Sequence, residues 1–296
     1  MTEKPQDNWS TWLLRRRDGD DPEARRLTAE FLRPIRDRVL DHAALRDDDV
    51  LLDVGCGDGL IAFGALDRSQ TGSVIFSDIS QALLDKCKRI AEDLGVGDRC
   101  RFVNTPADDL SDVSDASVSV VTTRSVLIYV HDKATAFREF NRVLAPGGRI
   151  SLFEPINSFG FPSPDHVFAG YDVTPVAHLA SKVKVIYREA QPSENDPMTD
   201  FDERNLLRLA EEAGFGELHL RLEADNEAPR PELNWELFLH RAPNPRAPTL
   251  QEAVDQSLAS SESQEFLAHL RPKVEEGIGT RRTAVAYLWG TKSPKG

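Results

Sequence analysis

In Val50-Leu51-Leu52-Asp53-Val54-Gly55-Cys56-Gly57-Asp58-Gly59 an apolar run meets an acid and then three glycines at alternate positions. Glycines at a strand-to-helix turn adopt backbone angles closed to other residues and let the main chain approach a ligand. The helix N-terminus behind them favours a carboxylate or phosphate. A nucleotide-like ligand belongs at such a turn. Asp53 would repel a pyrophosphate, yet it can hold the ammonium of a zwitterionic ligand, directly or through water. A dinucleotide turn instead reads Gly-x-Gly-x-x-Gly behind an apolar residue, whereas this chain has Gly-x-Gly-x-Gly behind an acid. A second acid, Asp78, ends the next apolar run, where dinucleotide-type folds place the acceptor of ribose hydroxyl hydrogen bonds. Tyr129 and His131 follow a later apolar run and Glu154 ends another, with His166 and Tyr171 beyond. Neutral histidine is a natural general base near neutral pH. Glu154 is the first choice for a group facing a substrate, with His131 and Tyr129 as companions.

The elements that must position these residues are legible as alternating periodicities. A helix over about Glu23 to Ala44 precedes a strand at Val50–Val54. Then come a helix from Leu60, a strand at Val74–Phe76, and a helix from Ser80, a plausible N-cap, to about Leu94. Strands at Arg101–Val103 and Val118–Thr123 follow. Asp132 caps a helix through Leu144, which Pro146-Gly147-Gly148 ends, and Arg149–Glu154 is the fifth strand. This alternation implies a mostly parallel sheet covered on both faces, the doubly wound α/β class. From 155 to 199 the pattern lapses into a cap insertion with one helical stretch near Val173–Glu189. Asp200 to Glu203 has capping-box spacing for a helix to Glu212. Strands are expected at Glu217–Glu223, Trp235–Leu239 and Thr283–Trp289, and a helix at Leu250–Leu270. The expected organisation is a helical lid over 1–45, a cofactor-binding core over 46–154, the cap over 155–199, and completion of the core over 200–296 with a helical insertion at about 241–279.

The chain has 296 residues, with 49 Asp plus Glu against 36 Lys plus Arg for a formal net charge of −13. No apolar run approaches the roughly 20 residues needed to span a bilayer. The first 21 residues lack the continuous apolar stretch of a secretory signal. A cytoplasmic protein without membrane association is expected. The acidic balance disfavours nucleic-acid partners, whose affinity rests on Lys and Arg. Cys56, Cys87 and Cys100 are odd in number and lack CxxC spacing. They read as reduced thiols on unrelated elements, with no metal expected.

The chain resembles the class I S-adenosylmethionine (SAM)-dependent methyltransferases through Asp53-Val54-Gly55-Cys56-Gly57-Asp58-Gly59, Asp78, Ala107-Asp108-Asp109-Leu110 and Arg142-Val143-Leu144-Ala145-Pro146-Gly147-Gly148-Arg149. The resemblance covers about Val50 to Glu154, and more loosely 203–223 and 283–292. It implies a seven-stranded sheet whose last strand inserts antiparallel, with SAM across the carboxyl ends of the first strands and S-adenosylhomocysteine as product. Gly55 and Gly57, with Cys56 between them in the same turn, would line the methionine moiety, and Asp53 would orient its ammonium. Asp78 would hold the ribose and Ile79 would pack on adenine, whose rim Ala107-Asp108 would bind. Arg124 would reach the methionine part. One departure is Pro106, which lacks both a polar side chain and an N–H where the family often has Asp or Asn, so Asp108 must supply any contact to the adenine amino group.

Methyl transfer from a sulfonium is an in-line displacement, so the protein mainly brings a nucleophile close, aligns it and excludes water. A dry lid is therefore expected. Trp12 and Arg16, four apart on one helical face, are placed to close over the methionine end. The cap insertions favour a small organic acceptor. The apolar residues of the Leu250 helix serve either burial within the chain or a homodimer contact. A non-catalytic SAM- or S-adenosylhomocysteine-binding regulator or scaffold would share every cofactor motif.

Overall fold

Val50–Val54 (β1) is apolar on both faces because helices cover both sides of the sheet it belongs to. The computed structural model describes residues 7–192, 196–228 and 234–293. The other strands are β2 (Ser73–Asp78), β3 (Cys100–Asn104), β4 (Val118–Arg124), β5 (Leu144–Pro155), the two-residue pair β6 (Val167–Phe168) and β7 (Tyr171–Asp172), β8 (Phe215–Glu227) and β9 (Arg281–Lys292). Seven of them form one sheet in the order β3-β2-β1-β4-β5-β9-β8. β1 to β5 pair in parallel, and β9 inserts antiparallel between β5 and β8. The strand order reverses between β1 and β4, the switch point at which open α/β sheets place their ligands beyond the carboxyl ends.

The helices are α1 (Asn8–Leu14), α2 (Pro22–His42), α3 (Leu60–Arg68), α4 (Gln81–Asp93), α5 (Lys133–Val143), α6 (Ala177–Ala190), α7 (Glu203–Glu212), α8 (Trp235–His240), α9 (Leu250–Ser257) and α10 (Ser260–Glu275). One apolar cluster packs α5 and α7 on one face of the sheet, and a second packs α2, α3 and α4 on the other. A third has no part in the seven-stranded sheet: Leu179, Trp235, Val254 and Phe266 of α6, α8, α9 and α10 pack with Phe168 of β6 and Tyr171 of β7 into a helical body. Leu250, Val254, Phe266 and Leu270 are buried there, so their apolar faces are covered within the chain. Among the described residues no helix is long and apolar enough to cross a membrane.

Four local expectations differ from the structure. Trp235–Leu239 is helical: Asn234 caps it by accepting from the Leu237 N–H, and Trp235 and Leu239, four apart, are its buried residues. A five-residue apolar pattern fits either period, and packing against the third cluster decides between them. The Leu250 helix is two helices broken at Leu258-Ala259. Asp202 rather than Asp200 caps α7, in a box with Asn205; Asp200 instead accepts from the Lys133 ammonium at 2.6 Å. Pro146-Gly147-Gly148 lies inside β5, because that strand begins at Leu144 with an irregular register against β4 before regular pairing resumes at Arg149.

Candidate active site

Asp53 is the last residue but one of β1, and its buried carboxylate is already committed on both oxygens. Thr122 Oγ1 of β4 donates to Oδ1 at 3.0 Å, and the Ala62 N–H in the first turn of α3 donates to Oδ2 at 3.2 Å. The acid thereby ties the end of β1 to β4 and to the helix that follows. Burial outweighs these bonds and pushes its pKa up to about 7. The turn beyond it needs glycine. Gly55 and Gly57 have φ of +64° and +57°, and a Cβ on Gly55 would lie 2.4 Å from Val126 Cγ2.

Asp78, at the end of β2, accepts from the Gly57 N–H at 2.9 Å and the Ser80 N–H at 2.8 Å. Burial raises its pKa as well. Ser80 is the N-cap of α4, accepting from the Leu83 N–H, so Asp78 is not spent on capping. Ile79 beside it is 50% exposed, an apolar side chain held open at the rim of the cleft. Asn104 donates to the Asp78 carbonyl at 2.8 Å and brings the end of β3 alongside. Past it, Ala107 is buried in the core while Asp108 stays partly exposed.

Arg124 ends β4 partly buried, and its guanidinium forms no hydrogen bond or ion pair among the described residues. Burial pulls its pKa down, and Asp58, Arg17, Asp53 and Glu154 are the charges that act on it. A buried cation without a bonded partner is costly, and a ligand carboxylate would satisfy it. The cleft thus offers an acid at β1, an open cation at β4, an acid at β2 and an exposed apolar side chain next to it.

Glu154 is not where the sequence suggests. It is fully buried, and Oε1 accepts from Thr123 Oγ1 (3.1 Å), the Val126 N–H (3.0 Å) and the Leu127 N–H (3.1 Å), while Oε2 accepts from the Ile128 N–H (3.3 Å). The carboxylate organises the loop after β4 from below instead of facing a substrate. Burial raises its pKa despite these donors. His131 is exposed beyond that loop. Tyr129 follows β4 and is partly buried under Trp9, whose ring meets it edge-on at 4.7 Å. Burial also raises the pKa of its hydroxyl.

The N-terminal helix covers the turn, but through residues other than those expected. Trp12 Nε1 of α1 donates to the Ala242 carbonyl at 2.9 Å, and Arg16, in the short turn after α1 and not on its face, pairs with Glu252 of α9, so both fasten the N-terminal segment to the helical body. Leu13 is the residue that lies on the glycine turn, 3.1 Å from where a Gly57 Cβ would sit. Asp7, the N-cap of α1, accepts from Ser80 Oγ at 2.6 Å and docks the helix start beside Asp78. An acid before Trp9 was readable as a capping signal, whereas its reach to Ser80 was not. The expected effect of deleting residues before Asp21 is a rise of about tenfold or more in the SAM dissociation constant, since the Asp7 and Leu13 contacts contribute about 1–2 kcal/mol together. Calorimetric titration of the truncated chain checks this, and an unchanged constant removes the covering role.

A family model described as "Methyltransferase domain" matches residues 51–148. The chain is 32% identical over 102 residues to the tRNA 5-carboxymethoxyuridine methyltransferase of Escherichia coli strain K12, a match covering 34% of this chain and 38% of that protein. It is 30% identical over 183 residues to the ubiquinone/menaquinone biosynthesis C-methyltransferase UbiE of Hahella chejuensis, covering 60% of this chain and 71% of that one. In fold it is similar to geranyl diphosphate methyltransferase solved in complex with SAM, at 19% identity and TM-score 0.52, with 93% of this chain and 92% of that one covered. With the sheet order, the acids at the ends of β1 and β2 and the glycine turn between them, these matches show that the chain belongs to the class I S-adenosylmethionine-dependent methyltransferases.

Proposed function

We propose that the protein transfers a methyl group from SAM to a small organic acceptor enclosed between the loop after β4, α1 and the helical body. The observation that carries this reading is a set of contacts over the cofactor turn: Trp9 on Tyr129, Leu13 on the glycine turn, Trp12 on Ala242 and Arg16 on Glu252 link the core, the N-terminal segment and the helical body. Bound there, SAM supplies a methyl group made electrophilic by its sulfonium. Asp53 and Arg124 hold opposite ends of the amino-acid moiety, with the Gly55 and Gly57 backbone beside it. Asp78 receives the ribose hydroxyls, and Ile79 with Asp108 flanks the base.

On the acceptor side Tyr129 is the residue placed to position a nucleophile, which the aromatic pair keeps dry. Glu154 is withdrawn into the loop and His131 faces outward, so the chain works by proximity and alignment, which supply about 7–11 kcal/mol in well-oriented reactions. An acceptor already nucleophilic at neutral pH suits such a site. The test is calorimetric titration with SAM and S-adenosylhomocysteine, followed by a methylation screen of small acceptors and of bulk tRNA. Turnover of a small acceptor supports the reading. Turnover of tRNA alone, or binding without any turnover, would replace it.

Asp53 also sets a pH dependence. A carboxyl whose folded pKa is raised contributes stability that is fully present below the unfolded value near 3.9 and is lost as pH rises through about 7. A ligand ammonium beside it favours the carboxylate, so binding releases a proton. SAM affinity should therefore strengthen by about fivefold between pH 6 and 7, below the α-amino pKa of about 7.7–8.0. Asp53→Asn should bind weakly and with no pH dependence across that window; a wild-type affinity that is flat with pH would contradict this role for Asp53.

A further inference from the structure

Cys56 and Cys87, far apart in sequence, meet directly behind the cofactor turn. Cys56 Sγ lies 4.0 Å and Cys87 Sγ 3.5 Å from the same Gly57 carbonyl oxygen, which brings the two thiols to one point of the turn. Cys100 is not part of the pair, since its thiol is turned to the Val96 carbonyl at 3.2 Å. We propose that Cys56 and Cys87 are an oxidation site, joined by peroxide into a disulfide that withdraws the cofactor turn and released again by thiol reductants.

The two sides of the pair differ in what they can yield. Cys87 sits in α4 and is fully buried, whereas Cys56 stands between two glycines of positive φ and keeps 6% of its surface. A disulfide needs the sulfurs about 2.05 Å apart, so the turn must move toward the helix. That movement pulls the Gly57 N–H off Asp78 and displaces the backbone proposed to lie along the methionine moiety. The consequence rests on the SAM site proposed above.

The chemistry balances with hydrogen peroxide as oxidant. The Cys56 thiol loses its proton, the thiolate attacks one peroxide oxygen, the O–O bond breaks to give Cys56 sulfenic acid, and the departing hydroxide takes up that proton and leaves as water. Cys87 sulfur then attacks the sulfenic sulfur, the S–S bond forms, the S–O bond breaks and a second water leaves. Two thiols lose two electrons and one peroxide gains them. The neighbouring Cys87 thiol and burial both push the Cys56 pKa up, so the first step is slow at neutral pH. Its rate should rise about tenfold per pH unit while thiolate remains the minor species. Leu13 over Gly57 further restricts access, so saturating SAM should slow the reaction.

The test treats the full chain with hydrogen peroxide, maps peptides under non-reducing conditions, and titrates SAM before oxidation, after it, and after dithiothreitol. The expected result is a Cys56–Cys87 linked peptide, a SAM dissociation constant raised about tenfold or more (about 1.4 kcal/mol), and recovery on reduction. Cys87→Ala should keep the reduced-state affinity and give no linked peptide, its Cys56 sulfenic acid being trapped by dimedone. No linked peptide from the wild type, or a linked peptide with unchanged SAM affinity, overturns the proposal. A reduced protein that binds no SAM overturns the consequence together with the cofactor site, and that result is read before any oxidant is added.

Discussion

Asp78→Ala is expected to raise the SAM dissociation constant by about 100-fold or more, the largest single effect in the cofactor site. Hydrogen bonds to a charged group contribute about 1.5–3 kcal/mol each, and a ribose diol offers two, so about 3 kcal/mol is lost. The substitution also frees the Gly57 and Ser80 N–H groups that the carboxylate holds at 2.9 and 2.8 Å. Asp78→Asn is the milder change: its amide oxygen keeps one of the two N–H donors, while its nitrogen faces the other donor against donor and cannot accept a ribose hydroxyl. It should weaken binding by about tenfold, between wild type and alanine. Calorimetric titration, with circular dichroism to confirm folding, checks both. Wild-type affinity in a folded Asp78→Ala protein would return the acid to a purely local role.

Glu154→Gln should be destabilising in a way that no substrate-facing carboxylate would be. The amide oxygen can keep the three donors on Oε1, but the amide nitrogen then points at the Ile128 N–H, donor against donor. Leaving that buried N–H unmatched costs about 2–3 kcal/mol, a large part of a typical stability of about 5–15 kcal/mol. The damage should spread to the cofactor turn, because Val126, whose N–H the glutamate holds, is the residue packed on Gly55. A urea-denaturation midpoint lowered by an amount corresponding to that energy, with a weakened SAM affinity, is the expected pair of results. An unchanged midpoint with lost turnover would make Glu154 a substrate group after all.

Much of the core was legible along the chain because its cues are local. The strand–turn–helix punctuation at Gly55, Gly57 and Gly59 rests on backbone angles that each residue needs for itself, and the acids at Asp53 and Asp78 mark strand ends. The doubly wound sheet follows from the alternation of strand and helix periods, and both it and the antiparallel insertion of β9 are present. Local pattern was ambiguous where a segment was too short to express a period. At Trp235–Leu239 the third apolar cluster selects helix over strand.

The site's working parts were decided by contacts between residues distant in sequence. Position at the end of β5 suggested that Glu154 faces a substrate, but Thr123 of β4 and three N–H donors from the loop after β4 turn it inward. Helical spacing suggested Trp12 and Arg16 as the cover, but Leu13 occupies that place while its neighbours bind Ala242 and Glu252. The three cysteines read as unrelated, yet the packing of α4 on the glycine turn sets two of them against one carbonyl oxygen. The physical reason is the same in each case. Propensity and glycine geometry are properties of a few consecutive residues, so sequence determines the scaffold and the cofactor turn. A buried carboxylate's orientation, a lid's contact face and a thiol's neighbour are set by which distant donors and apolar surfaces compete for them, and only the tertiary structure decides that competition.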